Sequence, residues 1–244
     1  MRAVVVIPVY NHERAITAVV DGVQRHGLPI ILVDDGSSPT CAAVLDGLAT
    51  RSGVTLVRRV TNGGKGAAVT SGLEEAQRHG YSHAVQVDAD GQHHLDDLPR
   101  FVAEAKAAPE AFITGRPRFD ESVPRSRLYG RYLTHVFVWL NTLSFAIADA
   151  MCGFRVYPLA ATLDVIARGR LGQRMDFDPE LAVRLVWAGV PVVNVPTAVR
   201  YPADGVSHFD VVADNARISW MHTRLFFGML WRLPRLLWRK VAHA

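Results

Sequence analysis

Two carboxylates one residue apart, Asp88 and Asp90, stand in Asp88-Ala89-Asp90-Gly91-Gln92-His93, directly after the apolar run 83–87. Side chains at i and i+2 of an extended chain point to one side. The pair therefore suits a hard divalent cation whose other ligands are phosphate oxygens, with Gln92 and His93 extending the line of donors. The same residues would also serve a polar turn in which Asp and Gly only shape the backbone. A zinc site built on His93 and His94 lacks a third nitrogen or sulfur ligand at suitable spacing.

Two further polar clusters follow apolar runs: Pro8-Val9-Tyr10-Asn11 after the first and Asp34-Asp35-Gly36-Ser37-Ser38 after the second. Adjacent acids there suit a base edge or ribose hydroxyls, while Ser37 or Ser38 can cap the next helix. Asn62-Gly63-Gly64-Lys65-Gly66 lacks Walker spacing, yet a glycine-rich lead into a helix, with Lys65 adding charge, favours an anion.

These clusters need a frame that brings them together. Four apolar runs (3–9, 29–33, 54–60, 83–87) each precede a segment of helical length (12–26, 40–51, 65–79, 95–107). This alternation predicts a mostly parallel sheet covered on both faces, with ligands at the carboxyl ends of its strands. A fifth strand at 111–114 should end at Gly115-Arg116, before a polar segment (116–131) and a helical stretch (128–145). A short strand at 154–157, helices near 158–169 and 178–188, a last strand at 190–195 and a helical C-terminus from about 209 complete the reading. We expect one α/β domain, 1–208, with a helical appendage, 209–244.

In order and spacing, Ile7-Pro8-Val9-Tyr10-Asn11, Val33-Asp34-Asp35-Gly36-Ser37, Gly64-Lys65-Gly66, Asp88-Ala89-Asp90-Gly91-Gln92-His93, Gly115-Arg116, Cys152-Gly153-Phe154-Arg155 and Arg200…Ser207-His208 resemble family 2 glycosyltransferases of GT-A fold. The likeness is strongest to the polyprenol-phosphate mannosyltransferase branch and spans Val4 to about His208. It implies that Pro8, Tyr10, Asn11, Asp34 and Asp35 hold the nucleoside of a UDP or GDP sugar. It also implies that Asp88 and Asp90, with Gln92, hold the Mg2+ or Mn2+ that bridges the diphosphate, and that Arg200 contacts the diphosphate. Arg116, Arg125 and Arg127 match positions that meet an acceptor phosphate, with Arg155 on the same side. Glu180 matches an acid near the start of the helix closing the site. The branch usually ends with Ser-Lys, where this chain has Ser207-His208, which puts the acceptor's identity in doubt.

The implied reaction displaces a nucleoside diphosphate from the anomeric carbon with inversion. Charge grows on the leaving group, so Lys65, Arg200 and the cation at Asp90 should stabilise it. A hydroxyl acceptor, as in a soluble glycan, would need a base, Glu180 first and Asp178 second. A phosphate acceptor would not, and the arginine fork fits its oxygens. Glu180 could instead occupy its helix's first turn for dipole reasons, and Arg155 could pair with Asp149 at the core edge. Val87-Asp88-Ala89-Asp90-Gly91 also copies the nucleophile motif of haloacid-dehalogenase phosphatases. Those carry it on the first strand with a later acidic pair, a pattern missing here. A catalytically dead binding module would more readily have lost Asp90 or Glu180.

The net charge of +4 over 244 residues suggests nucleic acid only until the charges are placed. Six of the 27 Lys/Arg and none of the 23 Asp/Glu lie beyond Asp214, leaving 21 basic against 23 acidic residues before it. At about 100° per residue, Arg217, Arg224, Arg232, Arg235 and Arg239 fall within roughly 80°. Phe226, Leu230, Leu233, Leu237 and Val241 lie opposite, Trp220, Trp231 and Trp238 share the segment, and Pro234 should kink or restart the helix. A basic amphipathic helix with tryptophans fits an anionic membrane surface, and packing on the domain or a partner chain is the other reading. No nucleic-acid partner is expected. The first apolar run is too short for a signal peptide and no stretch reaches the roughly 20 apolar residues of a span. Cys41 and Cys152, read as buried, fit a reducing compartment. Together these place the protein in the cytoplasm, peripherally on the membrane's cytoplasmic face.

Overall fold

In a computed structural model, residues 1–119, 125–199 and 210–242 are described. Strands β1 (Ala3–Val9), β2 (Ile30–Asp35), β3 (Val54–Arg59) and β4 (His83–Gln86) alternate with helices α1 (Ile16–Gln24), α2 (Pro39–Ala49) and α3 (Lys65–Arg78). A 3-10 turn, Leu95–Asp97, and α4 (Leu98–Ala107) lead to β5 (Phe112–Phe119). Then come α5 (Arg125–Thr142), β6 (Arg155–Pro158), α6 (Leu159–Ala167), α7 (Phe177–Ala188), β7 (Val192–Val199) and α8 (Val211–Ala242).

The sheet order is β3-β2-β1-β4-β6-β5-β7. β1 to β4 pair in parallel, β6 runs antiparallel to β4 and β5, and β7 is parallel to β5. Alternation along β1 sends Val4 and Val6 into one core and Val5, Ile7 and Val9 into the other. Both faces are thus buried, as the unbroken apolar run requires. The first core includes residues of α3, α5, α6, α7 and α8, and the second residues of α1, α2 and α4. Helix starts follow local chemistry: Ser38 caps α2 by accepting the Cys41 N–H, with Pro39 next. Register sets the site, because Val9 lies opposite Asp34 and Asp35 opposite Arg59.

Three expectations change. β5 does not stop at Gly115-Arg116 but continues to Phe119 beside the full length of β7. Ile113 and Thr114 pair with β6 and the Gly115 N–H reaches the Phe154 carbonyl; beyond them no ladder to β6 continues among the described residues, which suits Pro117, and Arg116 and Arg118 are exposed. α8 runs unbroken through Pro234. Buried Leu236 and bonds from Arg239 Nη1 to the carbonyls of Val186 and Trp187 hold its second half on α7. The third change is which way α8 faces. Its buried stripe is Ile218, Met221, Leu225, Met229 and Leu236. Several arginines turn inward beside it, Arg224 to Glu180 and Arg232 over the Trp187 ring. The solvent side is apolar, with Trp220 63%, Trp231 86% and Trp238 73% exposed. α8 thus contributes Ile218, Met221, Leu225, Met229 and Leu236 to the first core.

Candidate active site

The carboxyl ends of β1, β2 and β4 open into a cleft of about 710 Å³ lined by Pro8, Tyr10, Asp35, Lys65, Asp88, Asp90 and Gln92. Ligand pockets commonly fall in this size range. At its centre Lys65 Nζ lies 2.7 Å from Asp88 Oδ1 and 2.8 Å from Asp178 Oδ2. Burial alone would lower the Lys65 pKa, but Asp178 and Asp88 outweigh it and hold the ammonium above the usual lysine value. Burial likewise opposes the Asp88 charge, and Lys65 and His93 reverse that, keeping its pKa well below the usual carboxylate range. His93 Nε2 is 3.4 Å from Asp88 Oδ2, and its ring rests 5.4 Å from that of Phe154. Behind this row Gln86 donates to Asp178 Oδ1 and accepts from the Tyr157 hydroxyl.

A cation at this site must find oxygen donors. Asp90 accepts the Gln92 N–H on Oδ1 and, among the described residues, has no ion pair, whereas Asp88 is already matched by Lys65. No group of three or more His, Cys, Asp or Glu among the described residues could hold a metal. One open carboxylate in a cleft fits Mg2+ or Mn2+ bound chiefly through phosphate oxygens, not a dedicated cage. Gly153 is fixed by the same geometry, since a Cβ there would overlap the Asp88 carboxylate.

Other sequence-derived candidates are placed differently. Asp35 lines the cleft, but its oxygens accept from Arg59 and the N–H groups of Gly63 and Gly64. Asp34 is buried and takes the Ser37 N–H and Arg58. Asn11 ties the ends of β1 and β2 together, accepting the Ser38 N–H and donating its own N–H to Ser37 Oγ. The N–H groups of Gly66 and Ala67 at the α3 start go to the Gln173 carbonyl, which corrects the expectation of an anion site there. Arg155, expected on the acceptor side, is wholly buried, donating to the carbonyls of Cys152, Ala150 and Asp178 and lying 3.6 Å from Asp178 Oδ1. Asp149, its imagined partner, is taken by Arg131 and His135.

The expectation of Glu180 as a proton acceptor meets its burial, since such a group must be reachable by substrate. Glu180 is fully buried on Arg184, Arg224 and the Gly172 N–H. Arg116 is exposed on β5 and is not among the residues that line the cleft. Arg200, Ser207 and His208 lie outside the described residues, as do the side chains of Arg125 and Arg127. Both cysteines are buried, and burial first, then Asp149, pushes the Cys152 thiol up to about 12.

The cleft also draws in residues that the motifs did not flag, His12, Met151, Arg174, Met175, Asp210 and Asp214, together with Asn62 of the glycine-rich loop and Arg217 of the arginine stripe. Asp210 caps α8 by accepting the N–H groups of Val212 and Ala213, and its own N–H donates to Asp214. That capping sequence was legible; the packing of the α8 start against the cleft was not.

A mostly parallel α/β sheet with an acidic, lysine-bearing cleft at its strand ends has the architecture of the GT-A fold. The chain belongs to glycosyl transferase family 2, which it matches over residues 4–162, and it is a glycosyltransferase. It is 31% identical to the polyprenol monophosphomannose synthase of Mycolicibacterium smegmatis over 84% of this chain and 80% of that protein. It is 27% identical to the undecaprenyl-phosphate mannosyltransferase of Micrococcus luteus over 80% of this chain and 82% of that protein. The crystal structure of glucosyl-3-phosphoglycerate synthase from Mycobacterium tuberculosis with Mn2+, UDP and phosphoglyceric acid superimposes with a TM-score of 0.68. The match covers 93% of this chain and 78% of that one at 16% identity, a likeness of fold. The phosphatase reading is thereby overturned.

Proposed function

We propose that the protein transfers a sugar, with inversion, from a UDP or GDP sugar to a polyprenyl phosphate at a membrane surface. The observation that carries this is α8, whose first two turns wall the cleft with Asp214 and Arg217 while its outer side exposes Trp220, Trp231 and Trp238. Exposed Tyr132, Leu133 and Val136 on α5, which packs on α8, and Phe145 just after α5 add to the apolar surface. Apolar area of this kind favours burial in the headgroup boundary. No helix among the described residues is long and apolar enough to cross a membrane.

Asp90, with Gln92, would hold Mg2+ or Mn2+, which when bound offsets charge on the leaving diphosphate. Lys65 supplies a fixed positive charge beside it. Both candidate bases are engaged, Asp178 by Lys65 and Gln86 and Glu180 by two arginines. This favours an acceptor that is already an anion over a hydroxyl. Because several α8 arginines bond inward, attraction to anionic lipid is secondary to apolar insertion. Mass spectrometry of polyprenyl phosphate incubated with a panel of UDP and GDP sugars tests the reading. A glycosyl-phosphoprenol product is expected, and transfer only to soluble glycans would defeat it.

A further inference from the structure

Glu180, expected at the reacting centre, stands instead at a junction. Oε1 accepts from Arg184 Nε at 3.1 Å and Nη2 at 2.6 Å within α7. Oε2 accepts from Arg224 Nη2 of α8 at 3.1 Å and from the backbone N–H of Gly172 at 2.8 Å. A buried carboxylate is unfavourable unless its oxygens are bonded; here the bonds reach three separate segments.

Gly172 belongs to the loop 168–176, and what that loop does next matters for the cleft. The Gln173 carbonyl accepts the N–H groups of Gly66 at 2.8 Å and Ala67 at 3.2 Å, fixing the start of α3. Lys65 immediately precedes them, its ammonium between Asp88 and Asp178. Arg174 lines the cleft, its N–H on Asp176 Oδ1 and its Nη1 3.4 Å from Asn62 Oδ1. Space enforces the same contact, because any side chain on Gly66 would overlap Phe177.

We infer that Glu180 is a positioning residue that, with Arg224, couples the seating of α8 to the placement of Lys65 and Arg174 in the cleft. The inference rests on the proposed donor site only for the ligand used in the second half of its test. Hydrogen exchange of the full chain is compared for wild type, Arg224→Ala, Arg224→Lys and Arg232→Ala. Arg232 also packs α8 on α7, over the Trp187 ring, without touching Glu180. Arg224→Ala should lose protection in 63–68 and 169–176 while the sheet keeps it; Arg224→Lys should restore most of it and Arg232→Ala should lose none. Equal effects of Arg224→Ala and Arg232→Ala, or no effect of the former, overturn the coupling. If Arg224→Ala does not fold, Arg224→Gln takes its place.

The second half measures affinity for UDP and GDP with Mn2+. Arg224→Ala should bind about fivefold more weakly, at the low end of coupling between sites. Unchanged affinity despite lost protection would sever the link to the cleft. A wild type that binds neither nucleotide defeats the donor reading, while the exchange data still decide the coupling.

Discussion

Lys65 keeps its proton against burial because two carboxylates face it. Lys65→Met would strip Asp88 and Asp178 of the ammonium they share, so we expect a loss of about 3 kcal/mol, the low end for a broken buried pair, measured by urea unfolding. Gly153→Ala should push Asp88 aside and lower kcat on the order of 100-fold, the scale of a 1 Å misplacement, with melting temperature reporting that the fold persists. At this scale the motifs were informative: Pro8, Tyr10, Asp35, Lys65, Asp88, Asp90 and Gln92 do share one cleft. The acids of α7 show where reading stopped. Asp178 and Glu180 are two positions apart, about 200° around a helix, so only one could face the cleft. Periodicity alone does not say which; packing turns Asp178 to Lys65 and Glu180 to α8.

Elements pose the same problem with α8. Its amphipathic pattern was evident, but an arginine stripe has apolar stems that pack well, so either side could have been buried. The protein buries the stripe beside the arginines and leaves the tryptophans outside. Replacing Trp220, Trp231 and Trp238 by Ser should weaken cosedimentation with neutral phosphatidylcholine vesicles more than about tenfold, as lost apolar area requires. Retained binding of this variant to neutral vesicles would refute insertion. Deleting 216–244 would be a poorer test, because it strips Met221 and Leu225 from the core. His222, between α5 and α8, stacks on Phe137, and burial lowers its pKa from 6.5 to about 4. The unfolded chain therefore binds the extra proton first, and stability should fall as pH drops from 6.5 toward 4. Thermal melts of His222→Phe should show a flatter pH dependence in that window.

For the whole molecule, alternating apolar runs and helices sufficed for the parallel half of the sheet. They did not disclose that β6 runs antiparallel between β4 and β5, because a four-residue strand carries little directional signal. The net charge of +4 changed meaning once placed: the body is slightly acidic, and several of the basic residues of α8 bond inward. The central claim is that the cleft binds a nucleoside diphosphate through a divalent cation at Asp90. Isothermal titration of UDP and GDP, with and without Mn2+, into wild type and Asp90→Ala tests it most directly. Binding of one nucleotide that needs Mn2+ and is lost in Asp90→Ala is predicted; binding that ignores both metal and substitution, or none to the wild type, would contradict it.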